Sequence, residues 1–377
     1  MHFQLDDQTR EFRAAVRAHL DEVITPEFEE RIYRSGVAHD DDFARGLVAK
    51  DMFAPDGRPL HRQVLQDELM YSDAPVYLSE TTRMVAAVID KAGSPELKQK
   101  IIPKAMAAEL TIALGFTEPE CGSDVAAAKT RAVRCGDDWI INGSKMFTTN
   151  GHIADYVFLL ARTNPDKPKH KGLTMFLVPL DAPGVEAQAV WTLSGERTNI
   201  TFYSDVRVGD EYRIGGVDEG WSVLNLALED EHASGWGPHI ARLLDHAERW
   251  ARETTDAAGS PRIDDPDVRR RLARVAIELE VSTLLQRRCV WMAEQGRAPI
   301  AEGPMSKLYS TEALVRAAQD INELVGPDAL RSRLEPTAPE EGRFEYLMRF
   351  SLGTTIYAGT SEVQRNIIAQ RGLGLPR

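Results

Sequence analysis

Apolar residues recur at helical spacing over the first part of the chain, from about residue 7 to residue 108. Steps of three and four place one such series on a single helix face: Phe12, Val16, Leu20 and Val23. Prolines and glycines at 26, 36, 57–59 and 93–95 divide the region into several helices. Ser94 followed by Pro95 has the residue types of an N-cap and a first helical turn, and predicts a helix start.

Beyond Leu110 the pattern becomes typical of strands. β-Branched and aromatic residues are frequent in short segments that turns separate, at 130–135, 139–143, 156–160, 173–178 and 200–203. The Gly-Asp-Asp sequence at 136–138 lies between the first two segments and predicts a hairpin. A β-domain over residues 113–217 is therefore expected.

From Gly220 onward the helical pattern returns. Apolar or small residues step by three and four from Val268 to Ser282, and basic residues occupy the other face. Pro266 near the start and Gly296 at the end bound this helix, and further helices are predicted at 305–325 and 344–353. The predicted fold class is α+β, with an N-terminal helical domain (1–112), a small barrel or sandwich (113–217) and a C-terminal domain like a four-helix bundle (218–377).

Composition excludes several functional classes. With 377 residues, 43% of them apolar, the chain can bury a large core. A net charge of −13 argues against a nucleic-acid-binding protein. The three scattered cysteines, Cys121, Cys135 and Cys289, favour a reducing compartment without disulfides, and a cytoplasmic location is expected. We expect no signal peptide, no membrane span and no metal site from the motifs.

A loop with unusual residue types occupies 115–124, with the sequence Gly-Phe-Thr-Glu-Pro-Glu-Cys-Gly-Ser-Asp. Pro119 restricts its own φ and biases Glu118 toward extended backbone. Gly122 lets a ligand approach the backbone, and Ser123 with nearby amides can donate hydrogen bonds to an anion. These residue types suit a loop that binds a polar cofactor. The alternative is an ordinary turn leading into the alanine-rich run after Asp124.

Four segments together resemble the acyl-CoA dehydrogenase family. They are Thr-Glu-Pro-x-x-Gly-Ser-Asp at 117–124, Met-Phe-Thr-Thr-Asn-Gly at 146–151, Tyr-Ala-Gly-Thr-Ser-Glu-Val-Gln-Arg at 357–365 and Leu-Gly-Leu-Pro at 373–376. They occur in the family's order, and the resemblance covers essentially the whole chain. It implies FAD as cofactor, bound between the β-domain and the C-terminal bundle, and oxidation of an acyl-CoA to the 2,3-enoyl-CoA.

The resemblance also implies which residues bind FAD. Those expected to contact it from the β-domain are Phe116, Thr117, Gly122, Ser123, Phe147 and Thr149. Phe147 stands where the family usually has tryptophan, and Thr149 would bond the N5 side of the flavin. Ser123, Tyr357 and Ala358 would contact the thioester substrate.

The adenosine end of the cofactor is expected at Thr360 and Glu362, often across a subunit boundary. The alternative for Glu362 is a solvated helix face. Many relatives hold the FAD pyrophosphate with an Arg-x-x-Phe-Gly segment. This chain lacks that segment, and Arg262 is the residue in the corresponding region that could take its place.

The catalytic base departs from the common family pattern. Many relatives have the catalytic glutamate where this chain has Ala358, and alanine cannot accept a proton. A branch of the family places the base on an earlier helix, which corresponds to residues 221–250 here. Glu231 follows Leu224 and Leu228 on one helix face and is the first candidate, because partial burial raises a carboxyl pKa. Asp230 is the runner-up, and the alternative is that Glu229, Asp230 and Glu231 all lie on a solvated face.

The resemblance implies an oligomer, either a homotetramer or a hetero-oligomer with a related chain, and an electron-transfer flavoprotein as acceptor. Small residues at Gly235 and Gly237, together with the helix around Arg83, would shape a pocket for a branched or polycyclic acyl group; helix packing is the alternative reason for the glycines. The run 194–199 resembles relatives from lipid or steroid catabolism, or is a polar turn. The alternative functions are a non-catalytic or site-sharing subunit and a dehydrogenase or oxidase acting on an acyl carrier protein.

Overall fold

The computed structural model describes residues 4–53, 57–231 and 235–376, without the side chains of residues 229–231. Its α-helices are α1 (Asp7–Val23), α2 (Pro26–Ser35), α3 (Asp41–Ala49), α4 (Pro59–Tyr71), α5 (Tyr77–Ala92), α6 (Pro95–Met106), α7 (Gly220–Glu231), α8 (Gly237–Glu253), α9 (Pro266–Glu294), α10 (Glu302–Val325), α11 (Arg343–Thr354) and α12 (Ser361–Ile367). The α+β prediction, with helices, strands and helices in that order, is confirmed.

The strands are β1 (Ile112–Gly115), β2 (Arg131–Cys135), β3 (Asp138–Lys145), β4 (Tyr156–Arg162), β5 (Leu173–Pro179), β6 (Val185–Trp191), β7 (Arg197–Gly209) and β8 (Arg213–Ile214). They form one mixed sheet in the order β6-β7-β3-β2-β4-β5-β8, and β1 pairs with β4 in parallel. Strands β2 and β3 pair antiparallel, and Gly136 between them has φ +65°, so the predicted hairpin is confirmed.

The chain divides into two compact units. The helical unit comprises residues 1–22, 54–73 and 231–377, and therefore includes α1, α4 and α8 to α12. The sheet unit comprises residues 23–53 and 74–230, with α2, α3, α5, α6, the whole sheet and most of α7. The domain boundaries at 112 and 217 stay a prediction.

Strand β4 organises the core of the sheet unit because it is buried on both faces. Phe158 and Leu160 belong to one apolar cluster, with α5, α6 and α7, while Val157 and Leu159 belong to a second cluster with β3 and β7. Side chains of a strand alternate between its faces, so a continuous apolar run fits a strand that is covered on both sides. Strand β1, which leads into the loop at 116–123, pairs in parallel with β4, with Gly115 opposite Leu159, so β4 helps to position the loop.

The core of the helical unit lies among α8, α9, α10 and α11, where Leu243, Val275, Leu314 and Phe344 are buried together. The predicted ends of α9 hold, since Pro266 begins it and Gly296 beyond it has φ +67°. At the α4–α1 contact, the buried Glu68 carboxylate accepts hydrogen bonds from two arginines of α1.

One expectation about helices was wrong. We expected one helix over 221–250, but α7 ends at Glu231, Gly235 and Trp236 are not helical, and α8 begins at Gly237 with Pro238 in its first turn. Proline lacks the N–H that a continuing helix needs, and it commonly starts a new one. None of the helices in the described ranges is long and apolar enough to cross a membrane. Within those ranges, no cluster of three His, Cys, Asp or Glu side chains could hold a metal ion.

Candidate functional site

The loop that follows β1 is tightly folded and leaves its glycine open. Glu118 and Cys121 exchange backbone hydrogen bonds of 2.9 and 3.1 Å. Phe116 is half-buried, with its ring 5.7 Å from that of Phe158 in an edge-on arrangement. Gly122 is exposed, and a Cβ there would meet a single neighbour at 3.9 Å, a methyl group of Thr117. The loop therefore has space over its Gly-Ser backbone, as a bound anion or thioester chain would need.

A buried ion pair holds this loop from below. The ammonium of Lys145, which is fully buried at the end of β3, lies 2.8 Å from Oε1 of Glu118 and 3.1 Å from the carbonyl oxygen of Phe116. The same carboxylate accepts hydrogen bonds from the backbone N–H groups of Lys129 (2.7 Å) and Thr130 (2.9 Å). Burial raises the pKa of Glu118, but these donors together outweigh it, so its pKa lies below the ordinary value.

The segment after β3 has an unusual backbone. Phe147 has φ +61°, a rare conformation for an aromatic residue, and its side chain is 54% exposed. Neighbouring strand β7 holds the segment through Asn199. The side-chain amide of Asn199 donates to the Thr148 carbonyl (2.9 Å), and its backbone carbonyl accepts from the Thr148 N–H (2.9 Å). The Thr149 hydroxyl lies 3.2 Å from that of Thr198. The protein thus fixes an exposed aromatic ring in a strained position, a feature that often marks a ligand site.

These two segments meet. The backbone N–H of Met146 donates to the carbonyl of Thr117 at 2.8 Å, and Lys145 contacts both Phe116 and Glu118. The structure therefore brings together the residues that the sequence assigned to the β-domain side of the cofactor. Half-buried Phe116, exposed Phe147 and the open Gly122 backbone fit a planar ring system with an anionic tail. Asn150 beside them is fully buried, and its side-chain amide has no hydrogen-bond partner among the described residues.

The C-terminal segment lies in the helical unit. Thr360 is the N-cap of α12, where its hydroxyl accepts from the N–H of Val363 at 3.3 Å. Glu362 in the first turn is exposed, and its own backbone N–H, followed by the Thr360 hydroxyl, lowers its pKa. Tyr357 is 46% exposed, with its ring centroid 6.0 Å from that of Trp236, and Ala358 has φ +53°. Arg262 lies near Trp250 in this unit, with 5.9 Å from its guanidinium carbon to the ring.

The candidate bases lie at the end of α7. Leu224 is buried and Leu228 is half-buried, as the prediction assumed for the apolar stripe that leads to Glu231. The backbones of Asp230 and Glu231 belong to the last turn of the helix, but their side chains lie outside the described residues. Their assignment as catalytic acids stays a prediction.

The two glycines before and in α8 pack against α9. A Cβ on Gly235 would be 3.2 Å from the side chain of Gln286, and a Cβ on Gly237 would be 3.8 Å from that of Ser282. These contacts support helix packing as the reason for the small residues. In the sheet unit, the Arg83 guanidinium lies 3.7 Å from the Phe53 ring centroid and donates to the Met106 carbonyl (3.1 Å). Burial lowers the Arg83 pKa to about 10.

The run 194–199 is a turn followed by a strand. The N–H of Thr192 donates to the carbonyl of Glu196 at 2.9 Å, Gly195 has φ +92°, and β7 begins at Arg197. Its last two residues, Thr198 and Asn199, are the ones that contact the Phe147 segment. This supporting role was not predicted, and the sequence signal for it was weak: three polar residues near the start of a strand, Thr198, Asn199 and Thr201, are buried.

Two family models match the chain. The model for the acyl-CoA dehydrogenase middle domain matches residues 113–206, and the model for the acyl-CoA dehydrogenase C-terminal domain matches residues 218–373. The two segments that contact each other in the sheet unit lie in the first match, and the segment 357–365 lies in the second.

Similar proteins and structures cover the chain from end to end. Acyl-CoA dehydrogenase FadE26 of Mycobacterium tuberculosis is 34% identical, over 100% of this chain and 99% of the relative. In a crystal structure of the ChsE4–ChsE5 complex from the same organism, one chain matches with a TM-score of 0.90 and 33% identity, covering 100% of both chains. A structure described as the Tcur3481–Tcur3483 steroid ACAD matches with a TM-score of 0.91 and 30% identity, again over 100% of both chains.

Proposed function

The chain belongs to the acyl-CoA dehydrogenase family and is an oxidoreductase of that class, and on that premise we propose that it uses FAD to oxidise an acyl-CoA to the 2,3-enoyl-CoA. FAD, when bound, would supply the hydride acceptor for the β-hydrogen of the acyl chain. The observation that carries the proposal is the contact between the loop that follows β1, which contains Thr117, and the segment after β3, which contains Phe147. Together they present an exposed ring and an open Gly-Ser backbone on one unit.

Each of the predicted cofactor-binding residues has a role in this proposal. Phe116 and Phe147 contact the ring system, and the hydroxyl of Thr149 bonds its N5 side. Gly122 and Ser123 face the cofactor phosphates or the thioester chain, with Thr117 on the flavin side of the loop. Thr360 and Glu362 serve the ribityl and adenosine end. Phe147 lacks the indole N–H of a tryptophan, so it supplies an apolar contact but no hydrogen bond.

Proton removal requires a carboxylate, and Ala358 has none. We assign this role to Glu231 and keep Asp230 as the alternative, since both lie at the end of α7. The α-proton becomes acidic only if the thioester carbonyl oxygen is stabilised as it gains charge. The backbone N–H of Ala358 can donate to that oxygen, because replacing a glutamate side chain with alanine leaves the N–H in place.

Anaerobic titration of the FAD-loaded protein with a panel of acyl-CoAs tests this function. Bleaching of the visible flavin band with one acyl-CoA identifies the substrate class. We expect Glu231→Gln to keep FAD and acyl-CoA binding but to lose at least about 100-fold in the rate of bleaching, as expected for a general base. Asp230→Asn is the matched control, because the two acids are adjacent. The reverse result would assign the base to Asp230, and a protein that cannot be loaded with FAD would refute the cofactor proposal.

We also propose a bulky acyl substrate and a second, related chain. The supporting observation is that one similar solved structure is described as the ChsE4–ChsE5 complex and another as the Tcur3481–Tcur3483 steroid ACAD. Co-expression with a paralogue, followed by gel filtration and the same titration, tests this. A related chain that co-purifies and restores bleaching by a steroid acyl-CoA supports a hetero-oligomer. Full activity of the chain alone as a tetramer supports a homo-oligomer.

The electron acceptor in this proposal is an electron-transfer flavoprotein. The alternative acceptor is oxygen, as in an oxidase that acts on a carrier-protein thioester. Oxygen uptake without an added acceptor separates the two, and a comparison of acyl-CoA with an acylated carrier protein identifies the thioester.

A further inference from the structure

The short segment between α11 and α12 has a backbone that few sequences adopt. Ala358 has φ +53° and Gly359 has φ +80°, so two successive residues are left-handed. Alanine rarely takes this conformation without an external reason. The N–H of Ala358 donates no hydrogen bond to any described residue, although the residue is half-buried. A half-buried, unpaired N–H on a strained loop is suited to receive a ligand acceptor.

Two buried side chains hold this segment. The ammonium of Lys307, a residue of α10 that is 1% exposed, donates to the carbonyl of Gly359 at 2.7 Å and to the carbonyl of Thr354 at 2.9 Å. It thereby links the last residue of α11 to the loop. The side chain of Gln364 in α12 is fully buried and donates to the carbonyl of Ala358 at 2.9 Å. The carbonyl oxygens of Ala358 and Gly359 thus both accept hydrogen bonds, from donors on two different helices.

The close packing explains why the loop has one conformation. A Cβ on Gly359 would lie 2.6 Å from Nε2 of Gln364, so a side chain at 359 would displace the amide that holds Ala358. Lys307 lies 5.9 Å from the ring centroid of Trp236, whose ring contacts that of Tyr357. The ammonium therefore reaches the loop from a position that the surrounding core has already fixed.

We propose that Lys307, with Gln364, is a positioning residue that fixes the Ala358 N–H to receive the thioester carbonyl of the substrate. This inference rests on the proposed function, in which that N–H stabilises the developing enolate. Lys307 itself touches no substrate in this scheme, because its ammonium is committed to two backbone carbonyls. A donor that is already oriented needs no reorganisation as charge develops, which is the main advantage of preorganised sites.

The test uses a chromophoric enoyl thioester, 4-(dimethylamino)cinnamoyl-CoA, whose absorption moves to the red when its carbonyl is polarised. We would compare wild-type holoenzyme with Lys307→Met, which keeps the length of the side chain but removes the donor. Gln364→Leu removes the second donor and serves if Lys307→Met does not fold. Asn322→Leu is the matched control, since Asn322 also lies on α10 and donates to a carbonyl of α11, that of Phe344, but at the other end of the helix.

We expect Lys307→Met and Gln364→Leu to bind the probe with a smaller red shift than wild type. In turnover, kcat should fall about 10- to 100-fold with little change in KM, below the effect of deleting an oxyanion donor outright. Asn322→Leu should show the wild-type shift and kcat even if its stability falls. An unchanged red shift in Lys307→Met and in Gln364→Leu overturns this inference but leaves the proposed role of Ala358 standing. No red shift in the wild-type holoenzyme overturns it together with the proposed role of Ala358.

Discussion

Replacing Lys145 by methionine tests the ion pair beneath the cofactor loop. Methionine matches the lysine stem in length and burial but removes the ammonium. The Glu118 carboxylate then stays buried with hydrogen bonds from the N–H groups of Lys129 and Thr130, and it loses the ammonium that lies 2.8 Å from its Oε1 atom. The carbonyl of Phe116 loses its 3.1 Å donor at the same time.

The loss of stability in Lys145→Met depends on the hydrogen bonds that Glu118 keeps. Removing one partner of a buried ion pair typically costs about 3–5 kcal/mol, because the other charge is left uncompensated. Two backbone donors still bond Glu118, so we expect the lower end, about 3 kcal/mol. For a cooperative unit of 150–250 residues this corresponds to a fall in Tm of about 6–12 °C. The exposed pair of Lys129 and Glu120 is the matched control, and Lys129→Met should leave the free energy of unfolding almost unchanged.

Urea unfolding followed by circular dichroism measures the effect, at pH 7 and at pH 4. The folded-state pKa of Glu118 lies below its ordinary value of 4.5, so the stability from this carboxylate is complete above pH 4.5 and is lost as the pH falls through the folded-state pKa. In Lys145→Met the charged form of Glu118 is destabilised, and protonation at low pH removes that cost. The difference in free energy of unfolding between the variant and wild type should therefore be smaller at pH 4 than at pH 7. The double variant Lys145→Met/Glu118→Gln should cost less than the sum of the single variants. Additive costs, or a gap that does not depend on pH, would refute the argument.

Two further predictions concern stability away from this pair. Burial raises the pKa of Asp67 to about 6, although Gln63 (2.9 Å) and Gln286 (3.2 Å) donate hydrogen bonds to its carboxylate. The charged carboxylate therefore destabilises the fold fully above pH 6, and this cost is absent below the ordinary pKa of 3.8. Asp67→Asn should raise the free energy of unfolding by about 1–3 kcal/mol at pH 7 and by little at pH 4. A lower stability of Asp67→Asn at pH 7 would contradict this. Ser94→Ala removes the cap hydrogen bond to the N–H of Leu97 (3.1 Å) and should cost about 1 kcal/mol in thermal unfolding, whereas Ser94→Asp should retain most of it.

Local signals predicted the elements that local chemistry controls. Ser94 caps α6 and accepts from the N–H of Leu97, Gly136 turns the β2–β3 hairpin, and Gly296 follows the end of α9. Strand β6 was not predicted, because it lies at the sheet edge and most of its side chains are exposed. An edge strand buries no regular set of residues, so its sequence carries little of the alternation that identifies a strand.

The contacts that support the site were not readable from the sequence. The partners in each are far apart along the chain: Glu118 and Lys145, Thr148 and Asn199, and Lys307 and Gly359. A lysine in a strand or a helix usually lies in water, so its sequence position does not indicate burial. Only the structure shows that these side chains donate to specific oxygens within the core.

The sequence by itself determined the order of helical and strand regions, the family and the segments from which the site is built. Periodicity, turn residues and short motifs are local properties, and each can be read within a few residues. Tertiary structure decided how those segments are held: which lysines are buried, why Phe147 and Ala358 adopt left-handed backbone, and where α7 ends before α8 begins. These features depend on the balance between the cost of burying a charge and the hydrogen bonds available to it, and that balance exists only when distant residues have come together.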